Sequence, residues 1–368
     1  MHLNMRHAPI IRLMYRAHKV LLRAAELPRS QEVLFFPAQR AESATARCQG
    51  RRVSTNRADR ITLRFLAAPQ DSAADGRTVA AGRVLEWIDK AGYACAVGWS
   101  SSYCVTAYVG NVHFTRSMTP GDLVQAHARI IHTGRTSMQV LVTVESADMR
   151  SGRFTPATHC ILVFVAVDAE GAPQAVPAWS PHDESDRMLH ERAEERLAPR
   201  RVIRDAMQAQ SYSAEGTTPQ TTFRFLAAPQ DANYGGNAHG GTVLRWIDET
   251  AFACAASWVG EQAVAVYSGG IHFYSPIRIG DLVEVEARLI HTGAHSLHIA
   301  VHVRAASPRS PRDLRLTTQC MSVFVGLGAD GRAKPVDPVP LVTAEDRRLD
   351  AHALELIRLR SELEALPV

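Results

Sequence analysis

An eight-residue segment occurs twice in this chain, letter for letter: Arg64-Phe-Leu-Ala-Ala-Pro-Gln-Asp71 returns as Arg224-Phe-Leu-Ala-Ala-Pro-Gln-Asp231. Further matches follow in the same order. Trp87-Ile88-Asp89 pairs with Trp246-Ile247-Asp248, His113-Phe114 with His272-Phe273, Gly121–Val124 with Gly280–Val283, and His132-Thr-Gly134 with His291-Thr-Gly293. The spacing is 160 residues before the intervening loop and 159 after it, so one copy carries an extra loop residue. Solenoid repeats are far shorter than this period, which implies a duplicated globular domain, over residues 61–178 and 219–340.

Both copies share one plan. A short strand (Ile61–Leu66; Thr221–Leu226) leads through a Gly/Asn-rich loop into a helix, expected over Gly82–Trp99 and Gly241–Trp258. Three or four long strands follow, in the second copy Ala263–Tyr274, Leu282–His291, Ser296–Ala305 and Leu314–Leu327. Alternation such as Val283-Glu-Val285-Glu-Ala287-Arg-Leu289 supports the strands. The helix is apolar on nearly every side, interrupted in the second copy mainly at Arg245, Asp248 and Glu249, so it must be enclosed. An enclosed helix with a meander of antiparallel strands implies an α+β domain, a curved sheet wrapped round a central helix. The charged linker 179–218 is expected to form a helix over Glu184–Met207, and 341–368 another over Ala344–Ala365, each packing one apolar stripe on a domain.

The net charge of +4 conceals a division. Residues 1–60 hold twelve basic and four acidic side chains, which leaves the remainder mildly acidic and argues against nucleic acid as a main partner. Residues 9–26 read as a basic amphipathic helix. A membrane-surface or targeting role, or a poorly ordered extension, would both account for the segment. The sequence has no run of 18 apolar residues, hence no expected transmembrane helix. Six Cys without a C-x-x-C or Cys/His ligand spacing point to no disulfide framework and no metal, and with no secretory pattern they suggest the cytoplasm.

The second copy reads Asn233-Tyr-Gly-Gly236-Asn237-Ala-His239-Gly240-Gly241-Thr-Val-Leu-Arg-Trp246-Ile-Asp248. This pattern resembles the acyl-CoA thioesterases of the hotdog fold, and the duplication resembles their tandem, double-hotdog members. The resemblance implies two hotdogs whose sheets join and whose central helices face each other. Each active site then combines an Asn from one domain's loop with an acid from the other domain's helix. It also implies an acyl-CoA substrate, no cofactor, and further assembly as a homo-oligomer, often a trimer of double hotdogs.

Thioester hydrolysis needs an activated water and a stabilised oxyanion. The Gly240 and Gly241 amides at a helix start are expected to polarise the carbonyl. An Asp inside an apolar helix would have its pKa raised toward that of a useful base. Asn233 could orient water or carbonyl. The first copy lacks much of this set. Asn233 aligns with Ala73 or Ala74, Asn237 with Thr78, His239 with Ala80 and Gly240 with Ala81, while both acids survive as Asp89 and Asp248. Asp89 with Asn233 therefore makes one complete site; Asp248 with Ala73 and Thr78 makes a degenerate one.

Each residue also has a plainer reading. Asn233 and Asn237 could be turn residues, His239 a helix cap, and Asp89 and Asp248 partners of Arg83 and Arg245. Arg135 and Ser137, and in the second copy Ser296, sit at strand junctions where they could meet CoA phosphates. A non-hydrolytic acyl-CoA-binding protein is the main alternative, and an enoyl-thioester hydratase a lesser one.

Overall fold

A computed structural model describes residues 57–260 and 262–362. The basic segment 9–26 and the end of the C-terminal helix lie outside them. The first half contains β1 (Arg60–Leu66), α1 (Ala81–Ser100), β2 (Cys104–Val109), β3 (Val112–His113), β4 (Leu123–Thr133), β5 (Ser137–Ala147) and β6 (Thr155–Ala166). Two connector helices follow, α2 (Glu184–Glu195) and α3 (Leu197–Gln208). The second half repeats the plan with β7 (Gln220–Leu226), α4 (Gly240–Val259), β8 (Ala263–Phe273), β9 (Leu282–Thr292), β10 (Leu297–Ala306) and β11 (Arg315–Gly326), and α5 (Ala344–Ser361) closes it.

All the strands belong to one antiparallel sheet in the order β1-β4-β5-β6-β2-β8-β11-β10-β9-β7, with β3 also on β8. The halves join where Tyr108 and Val109 of β2 pair with His272 and Ile271 of β8. On the inner face, one hydrophobic core takes in both central helices, with Ile88 and Ile247 fully buried. Trp87 stacks on Phe65 at 5.4 Å and Trp246 meets Phe225 edge-on at 4.9 Å, so each tryptophan anchors its helix to its own first strand. The joined sheets and facing helices are the arrangement of a double hotdog.

One expected element differs. The linker helix is broken at Arg196 into α2 and α3. Pro199 has no N–H to donate back to Glu195, and its ring obstructs a continuing helix, so a new helix starts just before it. The connector helices do pack single stripes: Leu189 and Ala193 of α2, Ile203 and Met207 of α3, and Leu349, Ala353 and Leu356 of α5 are buried against the sheet's outer face.

The central helices approach closely because each begins with a glycine facing the other. A Cβ on Gly82 would stand 2.9 Å from Arg245 Cα, and one on Gly241 2.9 Å from Glu86 Cα. Backbone on the far side cannot yield as a side chain can. Gly82→Ala is therefore expected to lower the unfolding free energy by about 1–3 kcal/mol despite the better helix propensity of Ala, read by urea titration.

Candidate active site

Asp89 lies in the third turn of α1, buried to 1% exposure. Its Oδ2 accepts the Gly241 N–H of the opposite helix at 2.7 Å, and its Oδ1 accepts the Thr106 hydroxyl of β2 at 2.7 Å. Burial raises its pKa above the usual carboxylate value; His239, Thr106 and Gly241 oppose that rise without cancelling it. Neither helix acid neutralises an arginine as the surface reading supposed. Arg83 pairs with Asp71 and Glu86, and Arg245 with Glu249.

His239 is the N-cap of α4. Its Nδ1 lies 3.0 Å from the Gly241 N–H and 3.2 Å from Asp89 Oδ2. Unprotonated, Nδ1 accepts from the amide; protonated, it donates to the carboxylate. The sequence reading named His239 only as a cap or ligand contact, and the fold adds the contact with the acid of the other half. Gly240 permits this crowding, because a Cβ there would meet Thr106 Oγ1 at 2.8 Å and Asp89 Oδ2 at 3.0 Å.

Asn233 and Asp89 line the same cleft, of about 240 Å³, between β2 of the first half and the loops of the second. Asn237, His239 and Gly240 line it too. Asn233 is at once a turn residue, since its Oδ1 accepts from Gly235 N–H at 2.9 Å and Asn237 N–H at 3.1 Å. The Tyr103 hydroxyl stands beside the Asn233 and Asn237 amides. Gly235 makes room for that ring, for a Cβ there would overlap the Tyr103 hydroxyl.

One expectation changes. The Gly241 N–H is not open to a carbonyl, because Asp89 and His239 already hold it. Gly240, at the first helical position, has no hydrogen-bond acceptor for its N–H among the described residues. Arg135, Ser137 and Ser296 do not line the cleft; they sit at the β4–β5 and β9–β10 hairpins, where Gly134 and Gly293 N–H groups close the turns onto the Ser137 and Ser296 carbonyls. Thr106 and Tyr103 were missed altogether. At the repeat spacing Thr106 aligns with Ala265 and Tyr103 with Gln262, a difference between copies that was visible but lay on the strand after the motif.

The corresponding place in the other half is stripped. Asp248 Oδ2 still accepts the Gly82 N–H at 2.7 Å, but Ala80, Ala81 and Ala265 stand where His239, Gly240 and Thr106 stand in the first site. The loop hydrogen bonds settle the alignment. Ala73 N–H donates to Thr78 O as Asn233 N–H does to Asn237 O, so Ala73 is the counterpart of Asn233. Asp75 has taken over the turn, accepting from Arg77 N–H, Thr78 N–H and the Thr78 hydroxyl. The described cysteines are free and buried, and burial pushes the Cys95 and Cys254 thiols up to about 12, which suits core packing rather than nucleophilic attack.

Burial pushes Asp248 up to about 6 from 3.8. Between those values the fold keeps a proton that the unfolded chain gives up, so rising pH penalises the native state across that window. Asp248→Asn keeps an acceptor for Gly82 and removes the charge. It is expected to raise the unfolding free energy by on the order of 1–3 kcal/mol at about pH 8, a gain that shrinks toward zero near pH 4, as chemical denaturation at the two pH values would read.

A family model described as the Thioesterase superfamily matches residues 76–152 and 235–311, one match in each half. Mouse acyl-coenzyme A thioesterase 11 is 24% identical over 296 residues, 76% of this chain, which spans about half that relative's length (49%). Human cytosolic acyl coenzyme A thioester hydrolase is 25% identical over 304 residues, 78% of this chain and 80% of the relative. Acyl-CoA thioester hydrolase YciA of Escherichia coli strain K12 is 32% identical over 120 residues, 32% of this chain but 90% of the relative, about one hotdog's length. With two hotdogs in one polypeptide and this similarity in each, the chain belongs to the thioesterase superfamily as a tandem double-hotdog member of its acyl-CoA thioesterases.

Proposed function

We propose that the chain hydrolyses acyl-CoA to the free acid and CoA at one working site, built from α1 and β2 of the first half and the pre-helix loop of the second. The observation that carries this is the buried Asp89 carboxylate, held by Gly241 and Thr106 in the cleft that Asn233 also lines. The other half keeps only the carboxylate and its glycine.

In this reading Asp89 acts as general base. A base whose pKa is raised by burial accepts a proton more readily than a free carboxylate. The Asn233 amide and the Thr106 hydroxyl hold the water that Asp89 deprotonates. The Gly240 N–H, at the positive end of α4, donates to the carbonyl oxygen as it gains charge. Gly241 serves by fixing the Asp89 carboxylate. The new C–O bond forms on the carbonyl carbon, the C–S bond breaks, and the CoA thiolate recovers the proton from Asp89; the products are the carboxylic acid and CoA thiol. Asn237 and His239 line the substrate's path in the same reading. We also place the protein in the cytoplasm, as the human relative's name places that protein. Among the described residues no helix is long and apolar enough to cross a membrane. Assembly into trimers of double hotdogs belongs to the same reading, and sedimentation of the purified chain reads it.

The test is release of free thiol from acyl-CoAs of graded chain length. Asp89→Asn is expected to lower kcat by about 100-fold or more, whereas Asp248→Asn changes it by less than about threefold. Equal losses would overturn the one-site reading, and binding without turnover in the parent would favour an acyl-CoA-binding protein. Because Asp89 must be ionised to act and its pKa is raised, kcat/KM is expected to fall with decreasing pH along a limb above the ordinary Asp value of about 3.9.

A further inference from the structure

We propose that His132, His190 and Glu194 form a binding site for a divalent cation of the zinc class on the outer face of the first half's sheet. The His132 side chain comes from the end of β4; His190 and Glu194 are one turn apart on α2, which packs over that strand. Glu194 Oε1 lies 3.8 Å from His132 Nδ1 and 3.7 Å from His190 Nε2, and all three ligand atoms fall within 4.8 Å of one another. Ligands of a tetrahedral zinc at its usual bond lengths stand about 3.4 Å apart, so closure needs only small movements. Glu194, with 55% of its side chain exposed, is free to make them.

Two further features point to a ligand. His190 Nδ1 lies 2.9 Å from the Ile131 carbonyl and donates to it, so Nε2 is the nitrogen turned toward Glu194. This is the outer hydrogen bond that orients metal-binding imidazoles. Among the described residues, His132 Nδ1 is buried and has no hydrogen-bond partner. Arg200 is the nearby cation, and its guanidinium lies over the Tyr108 ring at 4.9 Å. Two imidazoles and one carboxylate suit zinc, nickel or copper rather than magnesium or calcium, with a fourth position for water.

The other half provides a built-in comparison. There His291 Nδ1 is 2.7 Å from Asp350 Oδ1, a closed pair, and Leu354 takes the place of Glu194. The sequence reading expected no metal because it looked for Cys and His spacings along one segment. These ligands come from a strand and a helix brought together only by the fold. Their bond to a cation would staple the connector helix to β4, away from the Asp89 cleft.

The experiment titrates zinc chloride into the chelator-treated full chain by calorimetry, with cobalt(II) absorption as a second readout. One saturable site per chain is expected, with Kd of about 1 µM or tighter. His132→Gln and His190→Gln should each weaken it by about tenfold or more, and His291→Gln should leave it unchanged. Glu194→Gln alters an exposed side chain, so it reports on the site even if a histidine variant misfolds, and it should weaken binding and change the cobalt spectrum. No saturable binding, or binding that survives Glu194→Gln and the folded histidine variants unchanged, as zinc held at Asp89 and His239 would, overturns the proposal.

Discussion

Two hydrogen bonds of 2.7 Å, Gly241 N–H to Asp89 and Gly82 N–H to Asp248, hold the central helices in their mutual position. Each places a carboxylate from one helix on the amides that open the other, where the helix dipole favours negative charge. The bonds are reciprocal, so neither can form unless both helix starts come close, and that approach needs glycine at Gly82 and Gly241. Sheet joining, helix facing and the placement of the acid in the cleft therefore follow from one contact. A carboxylate in this position is expensive to bury, and the raised pKa of both acids shows that the amides offset the cost only in part.

The same contact explains what the second site kept. Asp248 survives beside Ala80, Ala81 and Ala265 because the Gly82 amide still needs an acceptor at a buried helix start. Its retention reflects the helix cap, and need not reflect catalysis. The neighbouring losses fit one another. A Cβ at Gly240 would collide with the Thr106 hydroxyl, whereas Ala81 faces a position whose counterpart, Ala265, has no hydroxyl. Asp75 likewise holds the loop that Asn233 holds in the other copy.

The fold was legible because the repeat is near-verbatim at its landmarks and because an apolar helix must be enclosed. The central pair Asp89 and Asn233 was legible for the same reason: comparing two copies revealed which residues one of them had lost. Thr106 escaped because it lies on a strand beyond the motif, where a single hydroxyl among alternating apolar residues has no local signature. The role of Gly241 was misjudged because a free helix amide and one occupied by a carboxylate from elsewhere in the chain read alike in sequence. Pro199 was a local signal for the break between α2 and α3, set within a long run of charged residues.

Fusion of the two hotdogs into one chain is what makes such asymmetry attainable. In a symmetric pair of identical hotdogs, any substitution appears in both sites at once, so an acid, an amide and a cap must all be retained together. Joined in one polypeptide, the first half can specialise in supplying the carboxylate and hydroxyl, and the second in supplying the loop, the histidine and the open helix start. The outer face has diverged under the same freedom: His132, His190 and Glu194 in one half stand against His291, Asp350 and Leu354 in the other. At the reciprocal helix caps the two halves keep the same residues, Gly82 and Asp89 in one and Gly241 and Asp248 in the other.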